Sequence, residues 1–409
     1  MRLRDFLKIA VVALAVSGCG NGRNNQIMGT YGYDLAFFAK QGIETLELVA
    51  DGGASRLLLV PAYQGRVMTS TTAGKDGSSY GWINYKFIEA GEISTFFNPY
   101  GGEERFWIGP EGGPFSYYFE KGKEQVYENW VVPPVIDTEP FAVESRDKSQ
   151  VTFVKDTELK NASGNLFSIG IRRKVSLVDR TSLGDLLGAE IPAGVKALGY
   201  KTDNTLTNQG AEAWTPETGL PSVWLLGTFN PTPTTTVFIP YNKEYPGKVV
   251  NDMYFGKVPA DRLVAEDGMI YFKIDGKCRS KIGLPAGSAR DICGSYDFAR
   301  KMLTILKYTV PEGTHRYVNG QWGPQDDPFC GDVINSYNDG PTETGYVQGP
   351  FYEIETSSPG AELAPGESLT HTQYTLHFEG EEADLAAIVK AVFGADLSRI
   401  IRQFNPDHE

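Results

Sequence analysis

The stretch LTILKYTV, residues 303–310, is built from β-branched, aromatic and other apolar residues with one charge, at Lys307. Such residues suit a pleated, half-buried surface, and the run is too short for an ordinary helix, so it reads as a β-strand. Segments of the same kind recur between turn signals at 44–49, 56–60, 150–154, 167–172, 237–240 and 269–274, and Asp51-Gly52-Gly53 supplies the turn after the first. Helical periodicity is confined to the two ends. It covers 34–40 near the start and 381–401 at the finish, where Leu385, Ile388, Val389, Val392 and Phe393 share one face. Many strands with almost no helix between them predict an all-β fold, either two packed sheets or a larger barrel. With no internal repeat and no low-complexity linker, residues 31–380 read as one β domain and 381–409 as a short C-terminal helical tail, although the length alone accommodates two domains.

Residues 1–18 are set apart from that body. Arg2, Arg4 and Lys8 precede an apolar run, 9–16, too short to stay in a bilayer as a spanning helix, which is the pattern of an export signal. The run ends in Val16-Ser17-Gly18-Cys19. This resembles the bacterial lipobox, which implies lipidation at Cys19 and a membrane-anchored chain; the alternative is an ordinary secretory signal that happens to end in a cysteine. Residues 19–30 then form a polar tether whose first residues lack an acidic group, which predicts the periplasmic side of the outer membrane.

Composition narrows the partners. The chain of 409 residues is 41% hydrophobic and carries 38 basic against 51 acidic residues, a formal charge of -13 that repels nucleic acid and favours neutral or cationic ligands. No segment after the signal is long and apolar enough to span a membrane as a helix. Beyond Cys19 stand Cys278, Cys293 and Cys330. In an oxidising compartment the pair flanking 279–292, Cys278 with Cys293, is the expected disulfide, leaving Cys330 single. The histidines are His315, His371, His377 and His408, and no Cys/His spacing suggests zinc, so neither a metal site nor a cofactor is expected.

One segment does not look like core. NPYGGEERFWIGPEGGPFSYYF, residues 98–119, is too rich in glycine to be chosen for packing. Glycine lets backbone approach a ligand, Arg105 can donate paired hydrogen bonds to hydroxyls, and Trp107 offers a flat face to the apolar side of a pyranose. Glu103, Glu104 and Glu111 can accept hydrogen bonds from sugar hydroxyls. The alternative is a glycine-rich hairpin whose aromatic residues fill the interior. A second polar cluster, 332–340, offers Asp332, Asn335 and Tyr337 as ligand contacts, with Asn338 and Asp339 suited to a turn; its spacing does not match an EF-hand calcium loop.

The motifs GGEERFWIGPEGGPFS (101–116), GDVINSYNDGP (331–341), FYEIETSSP (351–359) and LAPGESLTHT (363–372) resemble an uncharacterised family of bacterial lipoproteins within the galactose-mutarotase-like superfamily. That resemblance implies a β-supersandwich with a sugar site on a concave face. In mutarotases a carboxylate takes a proton from the anomeric hydroxyl while an imidazole protonates the ring oxygen. The glutamate lies on a strand before a PGE turn, so Glu355, ahead of Pro365-Gly366-Glu367, matches the base, and Glu353 shares its face two residues away. Two neighbouring carboxylates raise one pKa, as acid–base work requires; the plain alternative is a solvent-facing strand edge. The imidazole is missing from its place after Leu206-Thr207-Asn208. His371 and His377 read as solvent-exposed strand residues, and His315, in a loop, is a candidate contact. The resulting expectation is a membrane-anchored lipoprotein that recognises a mono- or oligosaccharide. Its alternatives are a sugar-active enzyme with Glu355 as base and a non-catalytic envelope component.

Overall fold

Strand-forming residues between glycine turns build three antiparallel sheets in the computed structural model, which describes residues 27–313 and 315–406. The expected signal segment, Cys19, most of the tether, and His408 lie outside the described residues. A small sheet joins β1 (Leu46–Ala50), β2 (Ser55–Val60) and β3 (Arg66–Thr71). A five-stranded sheet has the order β13-β16-β17-β9-β4, from Ser280–Pro285, Asp332–Asn338, Tyr352–Ser357, Ser222–Phe229 and Arg105–Gly109 respectively. The ten-stranded sheet runs β11 (Leu263–Glu266), β12 (Met269–Lys273), β10 (Thr235–Pro240), β14 (Ile292–Asp297), β15 (Met302–Tyr308), β18 (Ser368–Glu379), β8 (Lys196–Asn208), β7 (Leu166–Val178), β6 (Gln150–Lys160) and β5 (Ala142–Arg146). The stretch 303–310 supplies most of β15, paired on one side with β14 and on the other with β18.

The helices are short. The two end patterns become α1 (Tyr31–Lys40) and a tail divided into α4 (Glu382–Phe393) and α5 (Leu397–Arg402) by Gly394, whose left-handed backbone ends α4. Two helices arise inside the chain, where none was expected: α2 (Tyr85–Ala90) and α3 (Arg180–Leu187). Each is barely two turns, too short to show a period, and each is set by its ends: Asn84 Oδ1 accepts from Phe87 N and Asp179 Oδ1 from Ser182 N, while Gly91 and Gly188 close them.

Period-two alternation gives β18 two different faces. Leu376 and Phe378 pack under α3, α4 and α5 with Leu303, Ile305, Leu385 and Ile388. His371, Gln373, Thr375 and His377 point the other way, toward the five-stranded sheet, and all are buried. The space between the two sheets is apolar around Phe106, Phe153, Ile171 and Leu225 and again around Val237, Phe272, Leu306 and Ile354. It also holds a polar network. Arg173 on β7 donates to Glu104 Oε1 at 2.9 Å and to Asn204 at 2.6 Å, and Gln373 donates to Glu104 Oε2 at 2.7 Å. The solvent-exposed placement expected for His371 and His377 is therefore corrected. His377 lies between Thr304 Oγ1 (2.9 Å) and Glu103 Oε1 (2.7 Å), and His371 Nε2 meets Thr356 Oγ1 at 2.9 Å. Burial without a countercharge pushes the His371 imidazole down to about 3.

The expected disulfide is corrected as well. Cys278, Cys293 and Cys330 are free thiols. The short segment between Cys278 and Cys293 contains β13 of the five-stranded sheet, and Cys293 already belongs to β14 of the ten-stranded one, where its side chain is sealed in the inter-sheet core. Closeness in sequence becomes a crossing between layers.

Candidate functional site

The outward face of the five-stranded sheet collects the charged residues that the sequence scattered. Register sets the rows: Arg105 and Glu355 both lie opposite Leu226, and Glu355 lies opposite Asn335, so the three polar residues share one row across β4, β17 and β16. The next row aligns Thr228, Glu353, Tyr337 and Lys281, and a third aligns Trp107, Trp224 and Ser357. Thus Arg105, Trp107, Asn335, Tyr337, Glu353 and Glu355, all expected at the site, do come together. The expectation that the glycine-rich segment is not core is corrected: Phe106, Trp107, Ile108, Tyr117, Tyr118 and Phe119 are all buried in the hydrophobic core, with Phe106 and Trp107 on opposite faces of β4 and Arg105 on the face of Trp107.

Each charge is tied to a named neighbour. Glu353 Oε1 accepts from Arg105 Nη2 at 3.0 Å and from Thr228 Oγ1 at 3.2 Å. The Arg105 guanidinium also lies 4.4 Å from the Trp107 ring centroid, a cation–π contact. Glu355 Oε2 accepts from Lys281 Nζ at 2.8 Å and from Trp224 Nε1 at 2.9 Å. Tyr254 donates to Asp332, and Asn335 Nδ2 donates to Tyr254 Oη (3.1 Å) and Asp332 Oδ2 (3.3 Å). Not every polar atom is satisfied. Glu355 Oε1, Arg105 Nε and Trp107 Nε1 are buried without a hydrogen-bond partner among the described residues.

Removal from water dominates the electrostatics. It pushes Glu111 up to about 7, with Lys281 pulling the carboxyl back and Glu355 adding to the rise. It pushes Asp332 up to about 6, against the hydrogen bonds from Tyr254 and Asn335. Glu353 is also raised, by burial first, with Arg105 opposing and Glu355 contributing. The expectation that neighbouring carboxylates drive that rise is therefore only partly met. Burial works against the Lys281 ammonium, but Glu355 and Glu111 outweigh it and its pKa is raised.

Other expected contacts are placed elsewhere. Glu104 alternates with Arg105 and so points between the sheets, where Arg173 and Gln373 occupy both its oxygens. His315 meets the Glu312 carbonyl of its own loop at 2.6 Å. Neither His371 nor His377 reaches this face. Lys281, Tyr254, Trp130 and Trp322 were not anticipated. A lysine on an edge strand ordinarily reads as solvent-facing, and the two tryptophans stand in loops with no periodicity to orient them. Two surface hollows, of about 620 Å³ beside α3 and about 580 Å³ beside β1, are lined by none of these residues. Chemistry, not volume, locates the site.

A family model described as "Family of unknown function (DUF6786)" matches residues 29–404. The chain belongs to DUF6786. No curated protein sequence matches this DUF6786 member. Among solved structures it is similar to the Slr1438 protein of Synechocystis sp. PCC 6803, with a TM-score of 0.51 and 13% identity over 83% of this chain and 96% of that one. It is also similar to a galactose mutarotase-like protein from Lactobacillus casei (TM-score 0.48, 10% identity, 82% and 100% covered). A candidate aldose 1-epimerase from Escherichia coli K12 is a further neighbour (TM-score 0.47, 13% identity, 83% and 100% covered). The DUF6786 chain is all-β with a few short helices, as expected, and it shares its fold with the Slr1438 protein.

Proposed function

We propose that this DUF6786 member is a membrane-anchored, carbohydrate-recognising lipoprotein whose site is the outward face of the five-stranded sheet. The observation that carries the reading is the set of buried, unpartnered polar atoms there, Glu355 Oε1 and Arg105 Nε above all, beside the indoles of Trp107 and Trp224. A sugar presents hydroxyls that both donate and accept along with an apolar ring face, and this combination answers both needs. Carboxyl groups outnumber the cations Arg105 and Lys281, which favours a neutral sugar over a phosphorylated one. Cys19 holds the chain to the periplasmic side of the outer membrane. Palmitate labelling of the wild type and of Cys19→Ser tests that anchor, and equal labelling of the two would refute it.

A second reading, a sugar-active enzyme, is favoured by Lys281 standing in the field of both Glu355 and Glu111. For epimerisation Glu355 takes the proton of the anomeric hydroxyl while Glu111, whose pKa burial pushes up to about 7, gives one to the ring oxygen as the C1–O5 bond breaks. For glycosidic cleavage Glu355 takes the proton of a water that bonds to C1 while Glu111 gives one to the departing glycosidic oxygen. One experiment separates the readings. The full chain, solubilised in detergent, is screened against mono- and oligosaccharides by binding, and by NMR for anomer exchange or bond cleavage, with Glu355→Gln and Arg105→Ala alongside. Binding without turnover, lost in Arg105→Ala, supports recognition. Turnover abolished by Glu355→Gln supports the enzyme, and neither binding nor turnover leaves an envelope component.

A further inference from the structure

Aromatic rings extend the polar face at both of its edges. Beyond β4, Trp107 leads to Trp130 (ring centroids 6.5 Å apart), and Trp130 lies 6.1 Å from both Trp322 and Tyr127 with interplanar angles of 29° and 19°. Rings in van der Waals contact sit about 3.5–4 Å apart. At 6.1 Å the rings are offset, and since Trp130 itself is buried at 8% exposure, the open faces are those of Trp322 and Tyr127 packed upon it. Tyr127 is 73% and Trp322 37% exposed. At the opposite edge Tyr337 leads to Phe255, 5.8 Å away and 46% exposed, whose ring is backed by the Arg279 guanidinium at 3.9 Å.

The two exposed wings therefore flank the charged rows from opposite ends of the sheet. Five strands at about 4.8 Å spacing put roughly 19 Å between the edge strands alone, far more than one pyranose ring covers. Apolar side chains held in water at both ends of a polar sheet face need a reason, and a lipid- or protein-docking patch would be continuous rather than interrupted by buried carboxyls. We infer that the site takes a neutral glycan chain lying across the five strands, with outer sugars stacked on Trp322 and Tyr127 at one end and on Phe255 at the other. This inference rests on the sugar-recognition reading above and specifies its ligand.

The test is a length series. Full chain in detergent is titrated with neutral gluco-, manno-, galacto-, xylo- and N-acetylglucosamine oligomers of one to eight units, as wild type, Tyr127→Ala, Phe255→Ala and Glu355→Gln. The expected result is at least a tenfold gain in affinity from one unit to four or more. Tyr127→Ala and Phe255→Ala each remove about tenfold for the long members and leave the monosaccharide unchanged, while Glu355→Gln weakens every length and Tyr127→Phe restores most of the loss. Monosaccharide affinity equal to that of the octamer, or wings whose removal changes nothing, overturns the chain-length inference while leaving sugar recognition standing. Loss of vesicle association in the wing variants with unchanged glycan affinity would assign the wings to a membrane instead. No binding by any member, in wild type and variants alike, removes both.

Discussion

Glu104 and Arg105 are neighbours in sequence, yet they enter two networks that differ in one decisive respect. On the inner side Glu104 has both oxygens occupied, by Arg173 and Gln373, and its ion pair with Arg173 is completely buried. On the outer side Glu355 has one oxygen bound by Lys281 and Trp224 and the other left without a partner, and Arg105 keeps an unpaired Nε. A buried ion pair fixes an arrangement of strands only when its remaining donors and acceptors are matched. An unmatched buried acceptor is a standing penalty, which a hydroxyl-bearing ligand removes. The Glu104–Arg173 pair is thus fully matched, whereas the outer face keeps unmatched atoms, as the space between the sheets does at Glu103 Oε2 and His371 Nδ1. Under the proposed function it is the outer ones that a ligand would meet.

The sharpest way to break this contrast is to remove Arg173. Arg173→Met leaves the Glu104 carboxyl enclosed without its cation, and we expect a loss of about 3–5 kcal/mol, partly relieved by protonation of Glu104, which burial already favours. Denaturant titration measures it, and a loss below 1 kcal/mol would deny the inner network its structural role. Next in size is Glu355→Gln, which keeps the shape of the outer cluster: stability should change by less than about 1 kcal/mol while sugar affinity falls at least tenfold. Glu104→Gln should show the opposite balance, with the melting temperature lowered and the outer face still binding.

A smaller effect follows from Glu111. Its folded pKa, about 7, lies above the ordinary carboxylate value, so the unfolded chain releases that proton first as pH rises and the group makes the fold less stable between about pH 4.5 and 7. Glu111→Gln removes this term. The melting temperature of the variant relative to wild type should be more favourable at pH 8 than at pH 5, and a difference independent of pH would place Glu111 in contact with water. The smallest effect belongs to the free thiols. Because Cys278 and Cys293 are free thiols, the first in the bend before β13 and the second buried in β14, a reductant should leave the melting temperature unchanged, and Cys278→Ser should change stability by less than about 0.5 kcal/mol.

The strands expected at 150–154, 167–172, 237–240, 269–274 and 303–310 all appear, and alternation correctly put Glu353 beside Glu355 and turned Phe106 away from Trp107. The short internal helices escaped because capping residues, not periodicity, define them. The histidines on β18 were misplaced for a related reason. Alternation separates two faces but does not say which is wet, and around Leu376 and His377, where helices cover one side of the sheet and a second sheet the other, neither is.

What the sequence determined by itself is therefore local: which segments are extended, which residues share a face, and which motifs carry a sugar-binding resemblance. The first two follow from steric and hydrophobic preferences that act within a few residues, and the third from the likeness of the motifs to a known family. The tertiary structure alone decided which charges meet. Arg105 pairs with Glu353 across 248 positions, Trp224 with Glu355 across 131 and Lys281 with Glu355 across 74. Strand order brings such residues together, and no local pattern encodes it. The free oxygen of Glu355 is likewise a property of the assembled face, since whether a buried group is satisfied depends on every element packed around it.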